Sequence, residues 1–214
     1  MKKFKIFVEG DADVKFLHDY VEYLFNITEG EPKRSGGIKT DIIKATGGWT
    51  KLTSEKEGEV YRQQMKKNTD EGDVNLIIFD ADKNFEQRQG EILTWKTKYE
   101  LSFQLFLFPN NQDTGDLECL LEKIINPQNT PIFDCWAGFE NCLKTKTSCV
   151  KTPLTIPAKK SKIYAYMETL HGETDVEKEK VKDPNRDFRN PLCWDLDAEA
   201  LNPLRDFLRQ HLTD

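Results

Sequence analysis

Hydrophobic positions fall in short clusters along this chain, separated by polar turns that carry glycine, proline or paired acids. Phe4-Lys5-Ile6-Phe7-Val8 is a β-rich run that stops at Glu9-Gly10-Asp11, the pattern of a buried strand entering a turn. From Ala12 to about Phe25 apolar residues recur at 14, 17, 21 and 24, with 16, 20 and 25 widening the stripe, so a helix packed on a sheet is predicted. Strand, glycine turn and helix make half of a βαβ unit. Glu29 to Gly37 is polar and reads as a loop, Lys39 to Thr46 as a second strand, and Gly47-Gly48 breaks that run. Trp49 to about Asn68 reads as one exposed helix before the turn Asp70-Glu71-Gly72-Asp73. Val74 to Phe79 is the clearest strand, ended by Asp80-Ala81-Asp82.

A polar helix is predicted around Phe85 to Glu100, then a fourth strand from Phe103 to Phe108 that Pro109-Asn110-Asn111 terminates. Asp113 to Glu118 passes from a turn into an acidic helix start, followed by Leu120, Leu121, Ile124 and Ile125. Strands alternating with helices at these separations predict an α/β fold: a mostly parallel central sheet of about four strands with helices on both faces. Beyond Asn126-Pro127 the strand rhythm stops. Pro131 to Leu143, Ala158 to Leu170 and Pro203 to Leu212 read as helices, the last with Leu204, Phe207, Leu208 and Leu212 on one face and Asn202 as its cap. Segment 172–190 is charged and poor in apolar residues, so a mobile excursion is expected there. Residues 1–127 are thus expected to form the α/β core and 128–214 a mainly helical extension packed on it, together one structural domain.

Charge and composition narrow the classes. The 214 residues include 31 Lys and Arg against 37 Asp and Glu, a formal charge of −6. No apolar run approaches the roughly 18–20 residues that span a bilayer, and Met1-Lys2-Lys3-Phe4-Lys5 does not begin a signal peptide. No membrane association is expected, and the cytoplasm is the expected compartment. Five cysteines at 119, 135, 142, 149 and 193 include no Cys-x-x-Cys pair, and in a reducing compartment they read as small buried hydrophobes. His18, His171 and His211 are scattered, with no Gly-x-Ser-x-Gly and no His-Glu-x-x-His, so serine hydrolase and zinc protease chemistry lack support.

The acids are placed informatively. Glu9 follows the first strand, Asp80 and Asp82 the third, and Asp113, Asp116 and Glu118 the fourth. In an open parallel sheet these positions share one edge, where ligands of such folds bind. Converging carboxylates repel unless a cation joins them, and hard oxygen ligands suit Mg²⁺ or Mn²⁺.

Two segments carry a resemblance. Phe7-Val8-Glu9-Gly10-Asp11-Ala12-Asp13, followed about 70 residues later by Leu76-Ile77-Ile78-Phe79-Asp80-Ala81-Asp82, resembles the toprim domain, whose signature is a Glu-Gly pair after one strand and Asp-x-Asp after another. Phe108-Pro109-Asn110-Asn111, Gly115 to Leu121, Lys162 to Tyr166 and Trp194 to Asp197 are similar to segments of a toprim-like family related to the OLD-family nucleases. The resemblance implies that Glu9 is a general acid/base or metal ligand, that Asp80 and Asp82 coordinate Mg²⁺, and that Asp13 and Glu118 are secondary ligands. It implies divalent-metal-dependent phosphodiester chemistry, most simply nuclease-type hydrolysis. No Gly-x4-Gly-Lys-Ser/Thr occurs, so the ATPase half of OLD proteins has no counterpart here.

A nucleic-acid partner, DNA or RNA, is expected on two further grounds. Between Asn141 and Lys162 there are six lysines, at 144, 146, 151, 159, 160 and 162, and no acid. Lys159, Lys160 and Lys162 would hold a polyanionic backbone, with Tyr164 and Tyr166 for base stacking. Gly47, Gly48 and Lys51 would offer amides and a cation to a phosphate. Two rivals stay open. Asp80-x-Asp82 also fits the nucleophile motif of haloacid-dehalogenase-type phosphatases, although Lys83-Asn84 replaces the expected continuation. A non-catalytic toprim-like module that binds or regulates is the rival of a different class.

Overall fold

A computed structural model describes residues 3–26, 42–148 and 150–213. The predicted loop over 29–37, the start of the predicted second strand and Cys149 lie outside them. Four strands are described, β1 (Phe4–Val8), β2 (Ile43–Ala45), β3 (Val74–Asp80) and β4 (Gln104–Phe108), in the order β2-β1-β3-β4. Every neighbouring pair is parallel, with Ile6 opposite Ile43 and Leu76, and Asp80 opposite Phe108. The fold is α/β with an all-parallel central sheet flanked by helices and a helical C-terminal segment.

The two-residue period of the strands sorts their side chains between two cores. Phe4, Ile6 and Val8 of β1, Leu76 and Ile78 of β3, and Phe106 and Phe108 of β4 share one core with helix α1 (Asp11–Leu24). Phe7, Ile77, Phe79 and Leu107 point the other way. They meet α2 (Trp49–Thr53), α3 (Glu59–Asp70) and α4 (Phe85–Lys98) through Leu52, Tyr61, Met65, Ile92 and Trp95. Each such side chain stabilises the fold by about 1.5–3 kcal/mol relative to exposure, so both faces of the sheet need cover.

The helix predicted over 49–68 is two helices. Arg62 donates to the carbonyls of Ser54 and Glu55 at 3.0 and 2.6 Å, fixing the intervening backbone. Gly58 lies so close to the Leu52 carbonyl that a Cβ there would stand 2.0 Å from it, and the chain restarts at Glu59.

The C-terminal segment covers the α1 face. After α5 (Leu117–Leu121) of the core it contains α6 (Thr130–Thr145), α7 (Lys159–His171), α8 (Asp175–Val181) and α9 (Asn202–Leu212). Leu204, Leu208 and Leu212 of α9 are buried in the same core as β1 and β4, and Phe207 meets Phe106 with ring centroids 5.3 Å apart. Asn202 is the first residue of α9 and not its cap, its side chain accepting from Arg205 at 2.8 Å.

The expected mobile excursion over 172–190 is ordered. Thr174 and Glu177 form a capping box that starts α8. Phe188 is buried against Phe16 and Trp194, with centroids 5.3 and 5.2 Å away. Its amide donates to Asp19 at 3.0 Å, and Arg189 donates to Glu22 at 3.1 Å, so two buried acids of α1 hold the strap. Composition alone hid these anchors because they lie far from α1 in the chain. Among the described residues no helix is long and apolar enough to cross a membrane.

Candidate functional site

Parallel strands bring the ends of β1, β3 and β4 to one edge, and the connections there interlock. The Thr46 amide donates to the Val8 carbonyl at 2.8 Å and the Gly47 amide to the Glu9 carbonyl at 3.0 Å, so the Gly47-Gly48 turn is joined to the residue after β1. Gly47 and Gly48 have φ of 80° and 94°, a region that favours glycine. A Cβ on Gly48 would stand 3.7 Å from Glu9 Oε2. Beyond β4, Asp82 and Gly115 exchange two backbone hydrogen bonds of 2.8 Å, which folds the 109–116 loop back onto the end of β3.

Four carboxylates from successive parts of the chain lie along this edge. Glu9 Oε1 accepts from the Asp80 amide at 3.4 Å, and Asp80 Oδ1 accepts from the amide of Leu117, the first residue of α5, at 3.0 Å. Asp13, in the first turn of α1, accepts from the Gly10 amide at 2.8 Å. Glu118 follows Leu117 on α5. Burial, and then the charges of Asp13, Glu9 and Glu118, push Asp80 up to about 9. Burial, Glu9 and Glu118 push Asp13 up to about 7 against the pull of the Gly10 amide and Lys160. Burial raises Glu9 against the opposing effects of Arg88 and the Asp80 amide, and burial also raises Glu118. The charges of Glu9 and Glu118 thus act on both Asp13 and Asp80.

The other sequence-selected residues stand differently. Asp82 is half-exposed and ion-paired with Arg88, a partner that sequence reading passes over because it sits on the polar helix α4. Asp113 shares hydrogen bonds of 2.8 Å with Asn110 within its own turn. Asp116 caps α5 by accepting from the Cys119 amide at 2.9 Å. Lys159, Lys160 and Lys162 pair with Asp116, Asp183 and Glu122 at 3.3, 2.5 and 2.8 Å. The Lys51 side chain lies over Gly47, where a Cβ would meet Lys51 Cδ at 2.8 Å.

Among the described residues no three His, Cys, Asp or Glu side chains stand arranged as a ready metal-holding group. Mg²⁺ takes one or two carboxylates and completes its shell with waters and substrate phosphates. An all-oxygen donor set in which Glu9 and Glu118 raise Asp13 and Asp80 fits such an ion, since a dication relieves the repulsion.

A family model described as "Protein of unknown function (DUF3226)" matches residues 3–213. No curated protein and no solved structure matches the chain.

Proposed function

The chain belongs to the DUF3226 family, and for it we propose divalent-metal-dependent phosphodiester hydrolysis of nucleic acid in the cytoplasm, a nuclease-type reaction at a toprim-like site. The observation that carries this reading is Asp80 at the sheet edge, its Oδ1 held by the Leu117 amide at 3.0 Å and its own amide facing Glu9 Oε1 at 3.4 Å, where burial and the charges of Asp13, Glu9 and Glu118 push it up. Four acids that no neighbouring cation fully compensates are unfavourable to the fold, and their retention is economical where a divalent ion uses them. Glu9, Asp13, Asp80 and Glu118 would hold Mg²⁺ or Mn²⁺, with Asp82 joining on release from Arg88. Such an ion supplies Lewis-acid polarisation of a phosphoryl oxygen and a more acidic water.

The chain's own residues do the rest. Burial raises Glu9 above the ordinary carboxylate value, the direction that favours a general acid/base. The Asp80 amide fixes one of its oxygens, which orients the group. Gly47 and Gly48 border Glu9, with Lys51 over Gly47, and would offer a route for a substrate phosphate. Arg88 stands against Asp82 as the nearest guanidinium for an incoming anion.

Cleavage of single-stranded, double-stranded and structured DNA and RNA, with Mg²⁺ or Mn²⁺, tests this reading. Glu9→Gln and Asp80→Asn are each expected to abolish cleavage with circular dichroism unchanged. Activity that persists in both would overturn the assignment. Absence of cleavage with metal binding retained would favour the second reading, a non-catalytic toprim-like binding or regulatory module. One observation favours that second reading: Lys159, Lys160 and Lys162 are each engaged by an acid, so they do not form a free cationic strip.

A further inference from the structure

Beside the acid cluster, and outside its chemistry, Lys159 Nζ lies 2.7 Å from Cys119 Sγ. The two atoms come from different elements, the first turn of α5 and the first residue of α7, 40 positions apart. Sulfur is a large, weak acceptor, and an amine hydrogen bond to it is ordinarily longer than one to oxygen. The separation is instead close to what one oxygen atom bonded to both would set. Lys159 is about half-exposed and Cys119 partly exposed, so a small oxidant reaches the pair. Asp116 lies 3.3 Å from the same ammonium and holds it beside the thiol, so the proton that leaves before oxidation goes to solvent.

We propose that Cys119 and Lys159 form an oxidative cross-link in which a single oxygen joins Sγ to Nζ. The co-reactant is hydrogen peroxide. One peroxide oxidises the Cys119 thiol to a sulfenic acid and releases water. A second oxidises the neutral Lys159 amine to the hydroxylamine, again with loss of water. Condensation of the two forms the S–O–N bridge and expels a third water. Sulfur and nitrogen each give up two electrons, and each peroxide accepts two. A thiol reductant reverses the linkage.

The position gives the bridge a consequence. Leu117 and Glu118, two residues and one residue before Cys119, are the α5 residues that meet the acid cluster. Tying Cys119 to α7 fixes that first turn. The cross-link itself stands apart from the proposed hydrolase reading, because it is detected by mass and not by activity.

The full-length protein treated with hydrogen peroxide, digested without reductant and analysed by mass spectrometry tests the inference. A linked peptide pair containing Cys119 and Lys159, heavier than the two peptides by one oxygen less two hydrogens, is expected. Dithiothreitol should return the separate peptides. Lys159→Arg, a substitution on a half-exposed side chain, should fold as the parent and lose the pair completely, as should Cys119→Ser. Cys119 going to sulfinic acid equally in the parent and in Lys159→Arg would overturn the proposal, as would a link that loses two hydrogens without gaining oxygen.

Discussion

The amide of Leu117 donates to Oδ1 of Asp80 across 3.0 Å, tying the start of α5 to the end of β3 across 37 positions of sequence. That bond favours the charged carboxylate, yet burial and three neighbouring acids outweigh it and carry Asp80 to about 9.

Stability should therefore fall with rising pH. A folded value near 9 against the ordinary 3.8 means the native state holds this proton more tightly than the unfolded chain, so the metal-free fold weakens from about pH 4 to pH 9. Asp80→Asn keeps an acceptor for Leu117 and removes the charge. Its metal-free form is expected to melt above the parent at pH 8, by roughly 2–4 °C for each kcal/mol relieved in a chain of this size, and the two curves should converge near pH 4. Thermal melts across pH check this, and an Asn variant that melts lower throughout would contradict it.

Divalent metal should reverse that weakness. Mg²⁺ competes with protons on Asp13, at about 7, and Asp80, at about 9. Stabilisation by the ion should accordingly be larger at pH 8 than at pH 6. At a hundredfold excess over Kd it would reach about 2.7 kcal/mol. Calorimetric scans with and without Mg²⁺ measure it, and Glu9→Gln combined with Asp80→Asn should erase the difference.

Gly115 has φ of +142°, and a Cβ there would meet Pro109 Cδ at 3.2 Å. Gly115→Ala is expected to destabilise the protein by about 1–3 kcal/mol through backbone strain. Urea unfolding reads the loss, and an unchanged midpoint would show that the 109–116 loop yields freely.

At the strap, Phe188→Ala should cost about 3–5 kcal/mol, as for other buried aromatics. Asp19→Ala leaves the Phe188 amide without its acceptor and should cost about 1–3 kcal/mol. Burial pushes Asp19 up, but His18, Lys15 and the Phe188 amide hold it below the usual carboxylate range. Its contribution is therefore present above the ordinary pKa and vanishes as pH drops through the lowered one. Denaturation at pH 7 and pH 3 should show the parent's advantage over Asp19→Ala shrinking in acid.

Much of the fold was legible from the run lengths. Four apolar stretches ended by acids, glycines or a Pro-Asn turn specify parallel strands because a strand buried on both faces is mostly apolar along its length. The edge position of Glu9, Asp80 and Glu118 was legible for the same reason. The break at 54–58 depends on Arg62 reaching back to two carbonyls, which no periodicity records. The strap was hidden because its few apolar anchors, Val181 and Phe188, sit among charges that pair with distant acids. The Thr174-x-x-Glu177 signature was the local signal for its helix. Arg88, Lys160 and the pairing of the lysines were not legible, since ion pairs between elements follow from three-dimensional proximity alone.

The helix that presents Asp13 to the acids is the one whose Asp19 and Glu22 grip the strap. Asp19 and Glu22 stand six and nine residues beyond Asp13, or about 9 and 14 Å along the helix axis. α1 consequently joins two regions far apart in the chain, the acid edge and residues 186–189, through a single element.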